Sequence, residues 1–429
     1  MNLKTRLRSL GARYFASQGF LEKTRQRAIK QRQRKGEPPC VHYFHQVDDP
    51  YSHLAAQKLE ALQARYDIVF NFHLCAPEAK EYQGSAEHFA TWAKVDAASV
   101  AADYNVTFTP TVNQPAAAHI DSANRVLADH LHNADFAALA TEVGNALWSG
   151  QAPTNEAATN DPSTALAAGS SLRSKLGHYQ GGMFYYEGEW FWGVDRLRSL
   201  EARLVADGFS RDTTTICVPQ PTPDTPPKGA AAGITLEYFP SLRSPYTAIG
   251  HQRVLDLIEQ TGVAVKVRPV MPMLMRGIPA PRAKQRYIIT DAAREGRAFG
   301  VPFGKMVDPF GEPVKRAFAL FPGALELDAA LPFVTAYLNA AWFEGVDITN
   351  STGLRTVVAN AGLDWQRVNQ AAEMHDWQAL LAANLDSMFA CNLWGVPSFR
   401  VSGGTNPQAF ACWGQDRIWR VASEIARRV

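Results

Sequence analysis

"SLRSPYTAIG", residues 241–250, is the stretch on which the reading of this chain turns. It follows a short apolar run, ITLEYF (234–239), of strand length, and leads into an apolar pattern of helical period. Ser-Pro stands at the junction. Serine is a preferred N-cap, and proline suits the first helical turn because its missing N–H would go unpaired there anyway. The expected unit is strand, turn, helix, with Ser244 at the N-cap. Backbone N–H groups and the helix dipole favour negative charge there, and Arg243 adds a cation beside it. No cysteine lies nearby.

The same unit occurs twice. "YFHQVDDPYSHLAAQKLEAL" (43–62) parallels "YFPSLRSPYTAIGHQRVLDL" (238–257), and "FWGVDRL" (191–197) parallels "CWGQDRI" (412–418). Each copy continues into a second strand (DIVFNFHL, 67–74; VAVKVRPV, 263–270), a helical middle, a further strand, a W-G-x-D-R turn and a last helix. That order implies a mixed sheet covered by helices. The offset between copies grows along the chain, so the second is longer in its middle, where LDAALPFVTAYLNAAWFEG (327–345) reads as an inserted helix. VPQPTPDTPPKGAAAG (218–233) reads as an extended linker. The expected division is a basic N-terminal helix or arm (1–37), a degenerate domain (38–211), a Pro-rich linker (212–232) and a domain with intact motifs (233–429).

Composition bounds the rest. The chain of 429 residues is 46% apolar and 20% charged, which is ordinary for a globular protein with room for two cores. No run approaches the roughly 18 apolar residues of a membrane span, and the N-terminus lacks a secretory apolar core. A cytoplasmic address is the expectation. Residues 1–37 carry eleven Lys/Arg against Glu22 and Glu37. That arm reads as a solvated helix with a weak stripe (Leu3, Leu7, Leu10, Tyr14). Contact with nucleic acid or an anionic membrane surface, or a targeting role, stays open. Cysteines 40, 75, 217, 391 and 412 show no C-x-x-C or metal-ligand spacing, so buried, inert thiols in a reducing compartment are expected.

Two more features converge on Ser244. WGVPSF (394–399) sets Val396-Pro397 before a strand, a context in which the X-Pro bond is often cis. That geometry turns the N–H and C=O of Val396 toward a peptide-like ligand. Gly414-Gln415-Asp416 precedes the last helix, where Asp416 can cap it or accept an ammonium group. With S-P-Y-T, G-V-P-S-F, W-G-Q-D-R and AYLNAAWFEG together, residues 234–429 resemble the kappa-class glutathione transferases and 2-hydroxychromene-2-carboxylate isomerases, within the DsbA-like thioredoxin-fold group. The implied fold class is α/β, with two tandem DsbA-like thioredoxin-fold domains, each with a helical insertion.

The resemblance implies glutathione as cofactor, with the Ser244 hydroxyl donating to its sulfur and holding it as thiolate. Val396, Pro397, Trp413, Gly414, Gln415 and Asp416 then hold the tripeptide, and the substrate is a small, partly apolar or aromatic electrophile. An isolated serine is itself a poor nucleophile without an adjacent base, and none lies in local sequence. MPMLMRGIPAPRAKQRY (271–287) departs from the family in lacking the Asn that faces substrate; Lys284 and Tyr287 are the candidates to replace it. A redox-inactive binding or scaffold protein is the alternative, and a disulfide oxidoreductase lacks its dithiol.

In the first copy Asp49 replaces the serine, and Gly182, in YQGGMFYY, replaces the proline. A carboxylate ~4 Å from a thiolate costs about 4 kcal/mol at an effective dielectric near 20, so thiolate stabilisation is not expected there. His42, His45, Asp48, Asp49 and His53 crowd that junction, but His42 and His45 point to opposite faces of a strand. No metal is expected, nor a specific nucleic-acid partner.

Overall fold

Among the described residues eight strands form two sheets: β1 (Cys40–His45), β2 (Val69–Leu74), β3 (Met183–Tyr186), β4 (Glu189–Trp192), β5 (Ile234–Phe239), β6 (Ala264–Val267), β7 (Ser398–Gly403) and β8 (Phe410–Trp413). The structure, a computed structural model, describes residues 1–153, 161–212 and 216–429. The sheet orders are β2-β1-β3-β4 and β6-β5-β7-β8. In each, the first two strands pair parallel and the other pairs are antiparallel. Where one late strand was expected in each copy, the structure has a hairpin, β3–β4 and β7–β8.

The chain divides into two compact units. The C-terminal unit holds Met1–Leu21, Thr222–Ala280 and Gln285–Val429; the N-terminal unit holds Glu22–Pro221 and Pro281–Lys284. In the C-terminal unit the helix Pro245–Thr261 runs on from β5 and stops at Gly262, whose φ of 69° suits glycine. Its apolar face joins the helix Ile418–Arg428 and the sheet in one core around Leu236, Tyr238, Val254, Phe399, Val421 and Ile425. A second core fills the helical insertion, with Phe318, Phe321, Phe333, Tyr337 and Trp342 at its centre.

In the N-terminal unit the helix that follows β1 is broken. Pro50–Ala56 ends near Gln57, whose side-chain amide exchanges two 2.9 Å hydrogen bonds with the Thr107 backbone, and Leu59–Arg65 follows. The helix Ser163–Lys175 backs onto β2 so closely that a Cβ at Gly169 would fall 1.9 Å from the Leu74 carbonyl oxygen.

Residues 1–37, expected as one basic arm, hold two helices, and the first, Leu3–Ala16, belongs to the C-terminal unit. Arg25 and Arg32, on the second, pair with Glu189 (2.6 Å) and Glu187 (2.5 Å) of the N-terminal unit. Of the expected linker 212–232, residues 213–215 lie outside the described residues. The rest is pinned at both ends. Cys217 and Val218 donate their N–H groups to the Glu201 carboxylate (2.6 and 2.8 Å), while Gly229 and Ala231 donate to Gln260 and Thr261 carbonyls. Limited proteolysis is therefore expected to cut the described part of the linker between these anchors, near 219–223. The two pieces should still co-elute on size exclusion, because Leu3–Ala16, on the N-terminal piece, packs into the C-terminal unit.

Candidate functional site

Ser244 is extended (φ −107°, ψ 119°) just before Pro245, and its Oγ accepts the Thr247 N–H at 3.1 Å. The cap thus forms as the sequence implies, and leaves the hydroxyl proton to donate elsewhere. It faces the Val396 carbonyl at 3.4 Å, a long and weak bond. Val396–Pro397 is cis. The Val396 N–H makes no hydrogen bond among the described residues. Gly414, at φ 107°, donates its N–H to the Pro397 carbonyl at 2.8 Å, which ties the Trp413–Asp416 turn to the proline loop.

Ser244, Val396, Pro397 and Gly414 are linked by these bonds, and Trp413 closes over Gly395. A Cβ on Gly395 would land 2.1 Å from the Trp413 ring, and the ring also lies 4.6 Å from that of Trp394. Gly395→Ala is accordingly expected to displace Trp413 and cost about 1–3 kcal/mol in a denaturant melt, the range for overpacking. It should also weaken any ligand held by the loop.

Gln415 turns the other way. It is 1% exposed, and its amide meets Arg253, Glu295 and Asp416 in the interior. Its side chain is a support for the turn, whereas Asp416 beside it is half-buried. Arg243 does not aim at the helix start. Its guanidinium grips Asp308 through two bonds (2.6 and 3.1 Å) and lies 4.8 Å over the Phe310 ring. A planar fork finds more in a bidentate carboxylate and an aromatic face than in a hydroxyl.

No histidine or carboxylate hydrogen-bonds Ser244 among the described residues. His251, on the same helix, is taken up by Tyr238 (3.1 Å) and Thr335 (2.8 Å), and burial pushes its pKa down to about 4. Among the described residues the Ser244 hydroxyl therefore has the Thr247 N–H and the Val396 carbonyl as its hydrogen-bond partners, and no base. The cation that does reach the loop is Arg276, which donates to the Trp394 carbonyl at 3.0 Å. Burial lowers its pKa to about 10. It was legible only as one of several cations in LMRGIPAPRAK. Lys284 instead bonds the Tyr82 carbonyl (2.7 Å) within the N-terminal unit, and Tyr287 lies on the helix Arg282–Ala298.

The five cysteines are free thiols. Cys75 and Cys412 are buried as expected, but Cys40, Cys217 and Cys391 are only half-buried. Burial raises the pKa of Cys75 to about 12 and of Cys217 to about 11, and also raises Cys40 and Cys391. None of these four is an activated thiolate.

In the N-terminal unit Asp49 occupies the cap position and accepts the Ser52 N–H (2.8 Å) and Oγ–H (2.7 Å). Gly193 donates to Gly182 at 2.8 Å, the same bond that Gly414 makes to Pro397. Burial pushes Asp49 up to about 7. His42 and His45 diverge: the first bonds His73 at 2.9 Å, the second meets the buried Tyr43 hydroxyl at 3.1 Å. No group of three His, Cys, Asp or Glu able to hold a metal occurs among the described residues.

A pocket of about 290 Å³ lies elsewhere in the C-terminal unit, lined by Leu255, Leu331, Thr335, Asn339 and Asn360 among others. Leu255 is roughly 16 Å along the helix from Ser244, at 1.5 Å per residue, so this pocket is not the Ser244 site.

No curated protein matches the chain. Solved structures do. 2-Hydroxychromene-2-carboxylate isomerase is 18% identical, covering 45% of this chain and 95% of its own, with a TM-score of 0.36. The cytosolic disulfide reductase DsbM from Pseudomonas aeruginosa is 19% identical over 45% of this chain and 98% of its own (TM-score 0.35). A second structure of it, with GSH, is 19% identical over 46% and 100% (TM-score 0.33). The DSBA-like thioredoxin domain family matches residues 235–426, so the part of the chain that carries Ser244, Val396–Pro397 and the Trp413–Asp416 turn is a DsbA-like thioredoxin domain.

Proposed function

We propose that the Ser244 site binds glutathione and that the protein is a glutathione-dependent isomerase or transferase of the kappa-class and 2-hydroxychromene-2-carboxylate isomerase type. The observation that carries this is the pairing of a helix-capping hydroxyl with the unbonded N–H of Val396, whose carbonyl lies 3.4 Å from that hydroxyl. A peptide-like ligand running past the cis-proline would satisfy the N–H and put its thiol at the hydroxyl. Ser244 would then donate its proton to sulfur in place of the Val396 carbonyl, while the helix N-terminus favours the negative charge. Bound there, glutathione supplies a thiolate able to add reversibly to an electrophilic carbon. Trp413 would form the wall of the tripeptide cleft, and Asp416 would take its ammonium end. The Met273–Arg276 turn suits an adaptable pocket for a small, partly apolar or aromatic substrate.

In this reading the N-terminal unit is a tandem, degenerate copy. The equal sheet orders and the matching Gly193–Gly182 and Gly414–Pro397 bonds support it. Asp49 leaves it unable to hold a thiolate, so its role is packing or binding. A reducing, cytoplasmic setting suits five free thiols.

A redox-inactive binding or scaffold role is the second reading. What favours it is that Ser244 is only 8% exposed and its hydroxyl already has partners on both sides. Calorimetric titration with glutathione separates the two. Saturable binding supports the enzyme, and no heat at millimolar ligand leaves the scaffold.

A further inference from the structure

The helix Leu3–Ala16 is mounted the wrong way round for a soluble amphipathic helix. Its polar and small face, Thr5, Ser9 and Ala16, is buried within the C-terminal unit. Ser9 Oγ accepts the Asp308 N–H at 3.0 Å, Arg13 donates to the Met306 carbonyl at 2.8 Å, and Ala16 joins the helical core. Phe15 is half-buried against Phe20, but the other large apolar side chains face out: Leu3 is 71% exposed, Leu7 61%, Leu10 51% and Tyr14 47%. At about 100° per residue these four fall within an arc of roughly 60°. Scattered exposed leucines need no explanation; three leucines and a tyrosine in one row on a docked helix do.

The charges beside the row narrow the occupant. Lys4 flanks it on one side and Arg6 on the other; both are exposed and neither makes an ion pair among the described residues. The helix contains no Asp or Glu. Spacing of four, three and four residues would also suit a coiled-coil seam, but a second copy would then set cations against cations. Cations on both sides of an apolar row match a plane of anionic headgroups, where such a helix lies in the interface with its apolar side chains among the acyl chains.

We infer that Leu3–Ala16 is a peripheral membrane-docking helix that seats the protein on anionic lipid. The binding is reversible, since one short row and two cations give a modest area and charge. No described helix is long and apolar enough to cross a membrane, and docking of this kind needs none.

Sedimentation of the full chain with vesicles tests this. Phosphatidylglycerol-containing vesicles should carry it down, pure phosphatidylcholine vesicles should not, and added salt should release it. Leu7→Glu with Leu10→Glu should lower the partition at least tenfold, and Lys4→Glu with Arg6→Glu should remove the preference for anionic lipid. Because all four positions face outward, melting curves should stay at the wild-type value. If the glutamates do lower stability, Leu3→Gln with Leu7→Gln serves as the milder pair and should still cut binding several-fold. The inference is overturned by equal sedimentation with both vesicle types or by anionic binding indifferent to these substitutions. It is equally overturned by a leucine-dependent dimer, or duplex DNA binding, in a protein that ignores vesicles.

Discussion

Replacing Ser244 with alanine is expected to strip bound glutathione of its thiolate absorbance at neutral pH while leaving the fold standing. The structural cost is one N-cap, about 1 kcal/mol, because the Thr247 N–H loses its acceptor. The chemical cost is larger. A free thiol titrates near ~8.5, and one lowered by about two units is mostly thiolate at pH 7, whereas an unassisted one is ionised by only a few per cent. Loss of the hydroxyl donor at the N-cap should therefore reduce the thiolate fraction, and kcat/KM with it, by more than about tenfold. Asp416→Ala should act differently, weakening binding while what still binds keeps its thiolate, since this carboxylate would hold the opposite end of the tripeptide. Spectroscopic titration of wild type and both variants separates activation of sulfur from anchoring. Equal thiolate fractions in wild type and Ser244→Ala would remove the serine from the chemistry.

Asp49→Asn is expected to stabilise the protein above neutral pH, an unusual outcome for a buried polar substitution. Burial raises the Asp49 pKa from 3.8 to about 7, against the hydrogen bonds from Ser52, which lower it. For an acid whose folded pKa is raised, the folded state holds its proton where the unfolded state has lost it. Stability on this account falls as pH rises from about 4 to about 7 and stays reduced above that. Asparagine caps helices as well as aspartate does and can accept the same bonds from Ser52 without a buried charge. The gain should be about 2 kcal/mol at pH 8, less than the full shift implies because the residue keeps a solvent-facing edge. It should vanish near pH 4, where both side chains are neutral. Denaturant melts of the two proteins at pH 4 and pH 8 check this; a pH-independent difference would show that folding leaves the Asp49 pKa unshifted. Glutathione binding should be untouched, because the Ser244 site lies on a different helix.

What local sequence determined was backbone. ITLEYF became β5, Ser244 capped the helix Pro245–Thr261, and Val396–Pro397 is cis in the loop before β7. These follow from neighbours within a few residues: strand-length apolar runs, a hydroxyl three residues before an unpaired N–H, a proline where no donor is needed. Side-chain direction was decided elsewhere in the chain. Arg243 reads as a cation for the site until Asp308, 65 residues on, takes both arms of its guanidinium. Gln415 reads as a ligand residue until Arg253 and Glu295 draw it inward. The row Leu3, Leu7, Leu10 and Tyr14 reads in sequence as a weak stripe on a solvated helix, and the tertiary structure sets it outward because Asp308, Met306 and the helical core take the opposite face. Asp49 is likewise an ordinary acid in sequence, and its raised pKa comes from the unit that closes over it. Backbone conformation is governed by sterics and hydrogen bonds a few residues long, whereas burial and ion pairing depend on which distant segments the fold brings alongside.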